Sequence, residues 1–427
     1  MSGSLGRRPG RRLVTVGGLA AVLCLALTAC GGSGSGGASA GAPASPASYP
    51  TATDAQVATV AAKAMNPGVD VGRLAPEIKT VFASAANPLT PEQKAIWTRC
   101  IAQPICDTGQ GSRTIAIIDD QQQPYYSISA GEIYAEAIQS GQVRKIVHSS
   151  SHLDVSQFLA AFRQAIAQRV DLIVSIFGAY GAQAGPVLAQ AKAAGIPVIN
   201  GATQLEPDVA KLLAVELRAT PCEMWQSAAS VLTDHLKAKG VTNPTYAMFS
   251  GPAGNAYASS WQPCAEDDLA KLGWRKVYNG YDVWTPQGQA QAASALLASG
   301  KTPDVILTDI APSQFLQAYT DAGQKLPLIM VSGSIDVNAL KGYQAAEKAG
   351  ANPDVWASSS QVWILRAAVV AGLEIADGQK PSSNPITYPL GATPFADIIK
   401  NADLDVNSNA IVGSLLAPDE QNEALKH

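Results

Sequence analysis

Apolar residues in this chain come in short runs separated by segments of helix length. Between Arg113 and Asn200 the runs are Thr114–Ile118, Lys145–Val147, Asp171–Ile176 and Ile196–Ile199. Each is rich in β-branched residues and bounded by polar ones, the pattern of a strand buried on both faces. Segments such as Val155–Gln168 and Ala182–Ala194 lie between them. Parallel strands need crossovers of that length, so the alternation predicts a doubly wound sheet with a ligand crevice at the strands' carboxyl ends. After Asn200 the rhythm lapses, with a short strand and a crossing at Leu212–Thr220, and then resumes. Strands are predicted at Thr245–Phe249, Trp274–Tyr278, Pro303–Leu307 and Pro327–Val331. Helices are predicted at Met224–Lys239, Ala256–Leu272, Pro286–Ser299 and Ser313–Ala322. The expected fold class is α/β: two doubly wound parallel-sheet lobes joined by a hinge, with a helical N-terminal extension.

The N-terminus breaks this pattern. Arg7-Arg8 and Arg11-Arg12 precede an apolar run from Leu13 to Thr28, which is a signal-peptide layout. The run ends in Leu27-Thr28-Ala29-Cys30, which resembles a bacterial lipoprotein box. That resemblance implies cleavage before Cys30 and a diacylglyceryl group on its thiol, anchoring the chain on the outer face of the cell membrane. A plain secretory signal or an uncleaved anchor helix stays open, as does the choice between the general and the twin-arginine export route. Residues 30–52 are almost entirely Gly, Ser, Ala and Pro and read as a flexible tether. Residues 53–112 form the helical extension, with helix starts at Thr53-Asp54 and Thr90-Pro91. The first lobe is assigned to 113–219, completed by about 362–382; the second lobe to 220–361; and 383–427 return to the lobes.

The chain has 427 residues, of which 47% are hydrophobic, enough for two cored lobes. A net charge of −4 offers no basic footprint for nucleic acid. Beyond Cys24 and Cys30 lie Cys100, Cys106, Cys222 and Cys264. An even number in an exported chain points to two disulfides with three possible connectivities. Proximity in sequence favours Cys100–Cys106, which leaves Cys222–Cys264; no Cys-x-x-Cys pair supports a metal site. His148 and His152 sit in a Ser-rich loop, where helical ligand spacing does not apply. Gly178-Ala-Tyr-Gly181 lacks the Lys-Ser/Thr of a phosphate loop. No nucleophile elbow or His-Glu-x-x-His stretch occurs, so neither an enzyme of familiar type nor a cofactor is expected.

Four stretches then carry a family likeness over residues 113–380. They are Gln123-Pro-Tyr-Tyr126, Ala193-Ala-Gly-Ile-Pro-Val-Ile199, Asp309-Ile-Ala-Pro-Ser through Ala322-Gly323, and Trp356-Ala-Ser-Ser-Ser-Gln361. In order and spacing the chain resembles type I periplasmic binding proteins of the ribose and sugar-transport class. The resemblance implies that Gln123 hydrogen-bonds a ligand and that Tyr125 and Tyr126 offer it aromatic faces. Asp309 would accept hydrogen bonds from hydroxyls, and Gln361 would sit at the hinge. Departures from the family pattern are equally specific. Ala202 and Thr203 stand near its usual Asp-Arg, Ser259 and Trp261 where it carries Arg, and Ser334 where it carries Asp. With the charged residues mostly gone, Trp261 and Trp284 are candidates to line the cleft, and Ser334 keeps a ligand-binding place there. The implied function is a solute-binding lipoprotein that hands a sugar-like or other polar or aromatic solute to the permease of an ABC importer. A sensor presenting its liganded form to a signalling receptor is the main alternative, and a cell-surface enzyme on the same fold a further one.

Overall fold

The computed structural model describes residues 49–65, 68–119, 123–176, 180–201, 203–219, 221–358 and 361–427, without the side chains of 219, 221–223, 226 and 227. The signal segment, Cys30, most of the tether and the Cys222 side chain lie outside what it describes. Three helices come first: α1 (Asp54–Lys63), α2 (Pro76–Ala85) and α3 (Pro91–Ile101). Thr53 and Thr90 each accept the N–H three residues on, and Gln56 and Gln93 reach back, so α1 and α3 open with reciprocal caps. The first lobe follows, with β1 (Ile105–Asp107), β2 (Arg113–Asp119), α4 (Pro124–Gln139), β3 (Val143–Ser150), α5 (Val155–Ala167), β4 (Leu172–Ser175), α6 (Gly185–Ala193), β5 (Val198–Gly201), the short α7 (Pro207–Ala210) and β6 (Val215–Ala219). The second lobe holds α8 (Pro221–Ala238), β7 (Thr245–Ser250), α9 (Ala256–Lys271), β8 (Arg275–Tyr281), α10 (Pro286–Ala298), β9 (Val305–Ile310), α11 (Ser313–Asp321), β10 (Leu328–Ser334), α12 (Val337–Lys348) and β11 (Val355–Ala357). The chain then continues through α13 (Ile364–Ala376), β12 (Ile386–Tyr388), β13 (Thr393–Pro394), α14 (Phe395–Ile399) and α15 (Pro418–Ala424).

Among the described residues the strands form two sheets, ordered β1-β3-β2-β4-β5-β6-β12 and β13-β11-β10-β9-β7-β8. Both are parallel except for the edge strands β1 and β13. This is the predicted fold class: two doubly wound lobes whose inner strands repeat one order, second-first-third-fourth-fifth. In each, the connections reverse direction beside the first strand, and the crevice outside that switch point is where such sheets take ligands. Apolar side chains cover both faces of each sheet. Phe158, Phe162 and Leu188 lie on one face of the first sheet, with Ile133, Ile138 and Val369 on the other.

The chain crosses between the lobes more than once. It leaves the first sheet after β6, is back beside it in α13, pairs β12 with β6, and then pairs β13 with β11. It ends with α15 against α3 and α4 of the first-lobe side. Two features were not read from the sequence. Ile105–Asp107, inside the segment read as helical, is an antiparallel edge strand on β3, and the Cys100–Cys106 disulfide ties it to α3. Tyr49 and Ala52, inside the stretch read as tether, pack against the core. Cys264 is disulfide-bonded; Cys222, with which the sequence would pair it, has no described side chain.

Candidate binding site

The carboxyl ends of both sheets face one cavity of about 90 Å³. From the first lobe it is lined by Gln123, Tyr125, Tyr126, Ile176 and Thr203. The second lobe supplies Tyr257, Trp284, Asp309, Ile310, Gly333 and Ser334, and Gln361 comes from the second crossing.

Local sequence explains why these residues meet. Gln123 is extended (φ −144°, ψ 163°) and precedes Pro124 at the first position of α4, where a missing N–H costs nothing. The first turn of α4 therefore starts at the tip of β2 and carries Tyr125 and Tyr126, whose rings meet edge-on at 5.3 Å. In the second lobe Asn255 caps α9 by accepting the Ala258 N–H at 2.7 Å, which sets Tyr257 in the first turn after β7. The Tyr257 hydroxyl donates to the Ser332 carbonyl at 3.0 Å, and burial raises its pKa well above the ordinary value. Ser334 reaches the site because β10 shifts register against β9 between Val331 and Ser334. Gly333 permits that shift, since a Cβ there would fall 1.9 Å from the Asp309 carbonyl oxygen.

Asp309, near the end of β9, is 2% exposed. It accepts the Ser250 hydroxyl on one oxygen and the Trp284 indole N–H, at 3.1 Å, on the other. Trp284 is held in turn by its own N–H, which donates to Asp282 Oδ1 at 3.0 Å. Val283 and Trp284 both adopt left-handed backbone (φ 47° and 55°), an arrangement costly for a β-branched residue and its neighbour. The indole lies on Gly251, where a Cβ would come within 2.2 Å of the ring. Asp309 is thus framed by a strained loop and a glycine, and burial first, then the Asp282 charge, pushes its pKa far up.

Seven of the eight residues proposed from sequence line this one cavity: Gln123, Tyr125, Tyr126, Trp284, Asp309, Ser334 and Gln361. Trp261 does not. It lies one helical turn, about 5 Å, beyond Tyr257 on α9 and is 1% exposed, stacked on Trp225 at 5.4 Å. The sequence reading missed Ile176, Tyr257, Ile310 and Gly333, and named Thr203 only as a departure. Tyr257 had a signal, because it occupies the second position of the helix after β7, as Tyr125 does after β2. His148 is engaged by Asp119 at 2.7 Å, and among the described residues no group of three or more His, Cys, Asp or Glu is placed to hold a metal ion.

Comparison with known proteins adds to this geometry. The model of the periplasmic binding protein domain matches residues 115–379. No curated protein matches the chain. Among solved structures, an ABC transporter solute-binding protein from Bacillus halodurans with bound myo-inositol superposes with a TM-score of 0.57 at 14% identity, over 68% of this chain and 97% of that one. The periplasmic component of an arabinose ABC transporter from a Shewanella species, bound to L-arabinofuranose, gives 0.58 at 18% identity, over 68% and 95%. A periplasmic ribose ABC transporter protein from Conexibacter woesei gives 0.55 at 19% identity, over 68% and 94%. At such identities the likeness speaks for the fold.

Proposed function

The chain belongs to the periplasmic binding protein domain family, and from that premise we propose that it captures one small, sugar-like polar solute between its lobes for an ABC importer. The observation that carries this reading is the single cavity at the tips of both sheets, lined from each lobe and from a crossing segment. A solute there touches both lobes fully only when they close, so binding favours the closed form and hands a permease a distinguishable shape. Aromatic faces suit the apolar C–H face of a sugar ring, while Gln123, Asp309, Ser334 and Gln361 suit its hydroxyl rim. Family membership supports an extracytoplasmic location, and the Leu27–Cys30 stretch supports a lipid anchor at Cys30. Among the described residues no helix is long and apolar enough to cross a membrane.

Thermal-shift measurements across sugars, polyols, amino sugars and nucleosides test the reading. At least one class should stabilise the protein, and Tyr126→Ala should weaken that hit about tenfold or more. Stabilisation by no member, or a hit indifferent to Tyr126, would remove the site from consideration. Radiolabelled-lipid incorporation that vanishes in Cys30→Ala tests the anchor.

A further inference from the structure

Asp309 is buried beside a second acid. Asp309 and Asp282 are 2% and 0% exposed, and the Asp282 charge opposes ionisation of Asp309. Among the described residues neither forms an ion pair. The polar side-chain groups on Asp309 are the Ser250 hydroxyl and the Trp284 indole; Asp282 Oδ1 accepts the Trp284 N–H, and Asp282 Oδ2 has no partner. Buried carboxylates are ordinarily matched by a cation, because desolvation is otherwise uncompensated. Elsewhere in the chain Glu132 and Glu136, also buried side by side, share Arg366, whereas the buried Glu77 has no second acid as neighbour in its hydrogen bonds and accepts the Ser382 N–H and hydroxyl.

The rest of the cavity points the same way. Among the described residues its lining includes no Lys, Arg or His, and four aromatic residues: Tyr125, Tyr126, Tyr257 and Trp284. Aromatic faces attract cations, most strongly where water is excluded. Gln361 is 6% exposed and lines the cavity, and its Oε1 has no hydrogen-bond partner while its amide meets Tyr257. An orphaned buried acceptor asks for a donor. Where the resembling family carries Arg, this chain has Ser259 and Trp261, and Trp261 is turned into the core.

We propose that the captured solute is cationic: a small hydroxylated amine, such as an amino sugar or amino polyol, whose ammonium supplies the missing counter-charge to Asp309 inside the aromatic lining and donates to Gln361. This rests on the solute-capture reading above and deepens it. A purely quaternary ammonium fits less well, since it has no N–H for Gln361. The groups facing Asp309 are Ser250 from β7, Tyr257 from α9, and Asp282 and Trp284 from the loop after β8, while Tyr125 of α4 lines the same cavity. Among the described residues, the carboxylate pair and the tyrosines are what titrates there. A bound ammonium favours its ionised form, so the amine should bind more tightly as pH rises from about 5 to 7.5.

Isothermal titration of the full chain with matched pairs decides the matter: D-glucosamine against D-glucose, D-galactosamine against D-galactose, and D-glucamine against D-sorbitol. The expected result is at least tenfold tighter binding of the amine in one pair at pH 7.5, shrinking at pH 5. Asp309→Asn should abolish the preference of the amine over its hydroxyl partner, whatever the change in neutral-sugar binding. The wild-type comparison stands even where that variant fails to fold, and Asp282→Asn, which removes the charge opposing ionisation of Asp309 and should carry the amine preference to lower pH, gives a second check. If the hydroxyl partner binds as well as or better than its amine throughout, the cationic solute is refuted and solute capture survives. If no member of any pair binds, nor any of the wider panel, both readings fall together.

Discussion

Replacing Arg366 by Met isolates what the buried charges between α4 and α13 contribute. Arg366 is 3% exposed, and Glu132 and Glu136 are fully buried. The guanidinium donates to Glu132, to Glu136 Oε2 at 3.4 Å and to Gln139 Oε1 at 3.2 Å. The two carboxylates hold segments from opposite ends of the chain. Ser84 of α2 donates to Glu136 at 3.0 Å, while the Ser414 hydroxyl and the Leu415 N–H each donate to Glu132 at 2.6 Å. Burial pushes Glu136 up to about 7 even against the pull of the guanidinium. Methionine fills similar volume, so the change removes charge more than packing. Removing one partner of a buried ion pair costs about 3–5 kcal/mol. Two carboxylates lose their counter-charge here, so the cost belongs near the upper end, about 4–5 kcal/mol at pH 8. Without the arginine, Glu136 rises further above 7. An acid with a raised folded pKa is stabilising only while protonated, so the variant should lose stability more steeply than wild type between pH 5 and 8. Urea denaturation at pH 6 and pH 8, followed through the buried Trp97 and Trp363, reads the magnitude. Limited proteolysis reads whether α1–α3 and the segment around Ser414 come loose first. A variant within about 1 kcal/mol of wild type at both pH values, with unchanged proteolytic protection, would refute the assignment of this cluster as the tie between the extension, the C-terminal segment and the first lobe.

Three further outcomes are expected. Burial pushes Asp282 up to about 6 from an ordinary 3.8, a difference of about 2 units or up to about 3 kcal/mol, lost by the unliganded protein as pH rises from about 4 to above 6. Asp282→Asn keeps an acceptor for the Trp284 N–H and should therefore be the more stable form at pH 7.5 and equal at pH 3.5; parallel stability-against-pH curves would contradict this. Gly251→Ala puts a methyl 2.2 Å from the Trp284 ring, displacing the indole and its bond to Asp309, and should weaken solute binding about tenfold with a change in tryptophan emission; unchanged titration and emission would count against the packing described. Cys106→Ser releases β1 from α3 and should cost about 2 kcal/mol, with faster amide exchange in Ile105–Asp107 and unaltered solute affinity; slow exchange there would show that strand pairing alone holds the edge.

The amino-acid sequence by itself determined the architecture. Runs such as Thr114–Ile118 and Pro327–Val331 can be buried on both faces only between helices, and the helix-length segments joining them permit only parallel neighbours, so two doubly wound lobes were legible from periodicity. Most of the cavity was legible from the family resemblance, which singled out Gln123, Tyr126 and Asp309, and their place at strand tips, where such sheets open, agrees with it. Tertiary structure decided what periodicity does not encode. Trp261 and Trp284 look alike as exposed-or-buried candidates in one dimension, yet one extra helical turn carries Trp261 into the core, while left-handed backbone at Val283 and Trp284 aims the other indole at Asp309. Ile105–Asp107 is too short to announce a strand and becomes one only because β3 presents an open edge beside the Cys100–Cys106 bridge. The pairing of Asp309 with Asp282, 27 positions apart in sequence, arises because β8 and β9 flank β7 and end at the same level. Local pattern records which face of an element is apolar; which charges share a buried space depends on how distant elements pack, and that is set only when the chain folds.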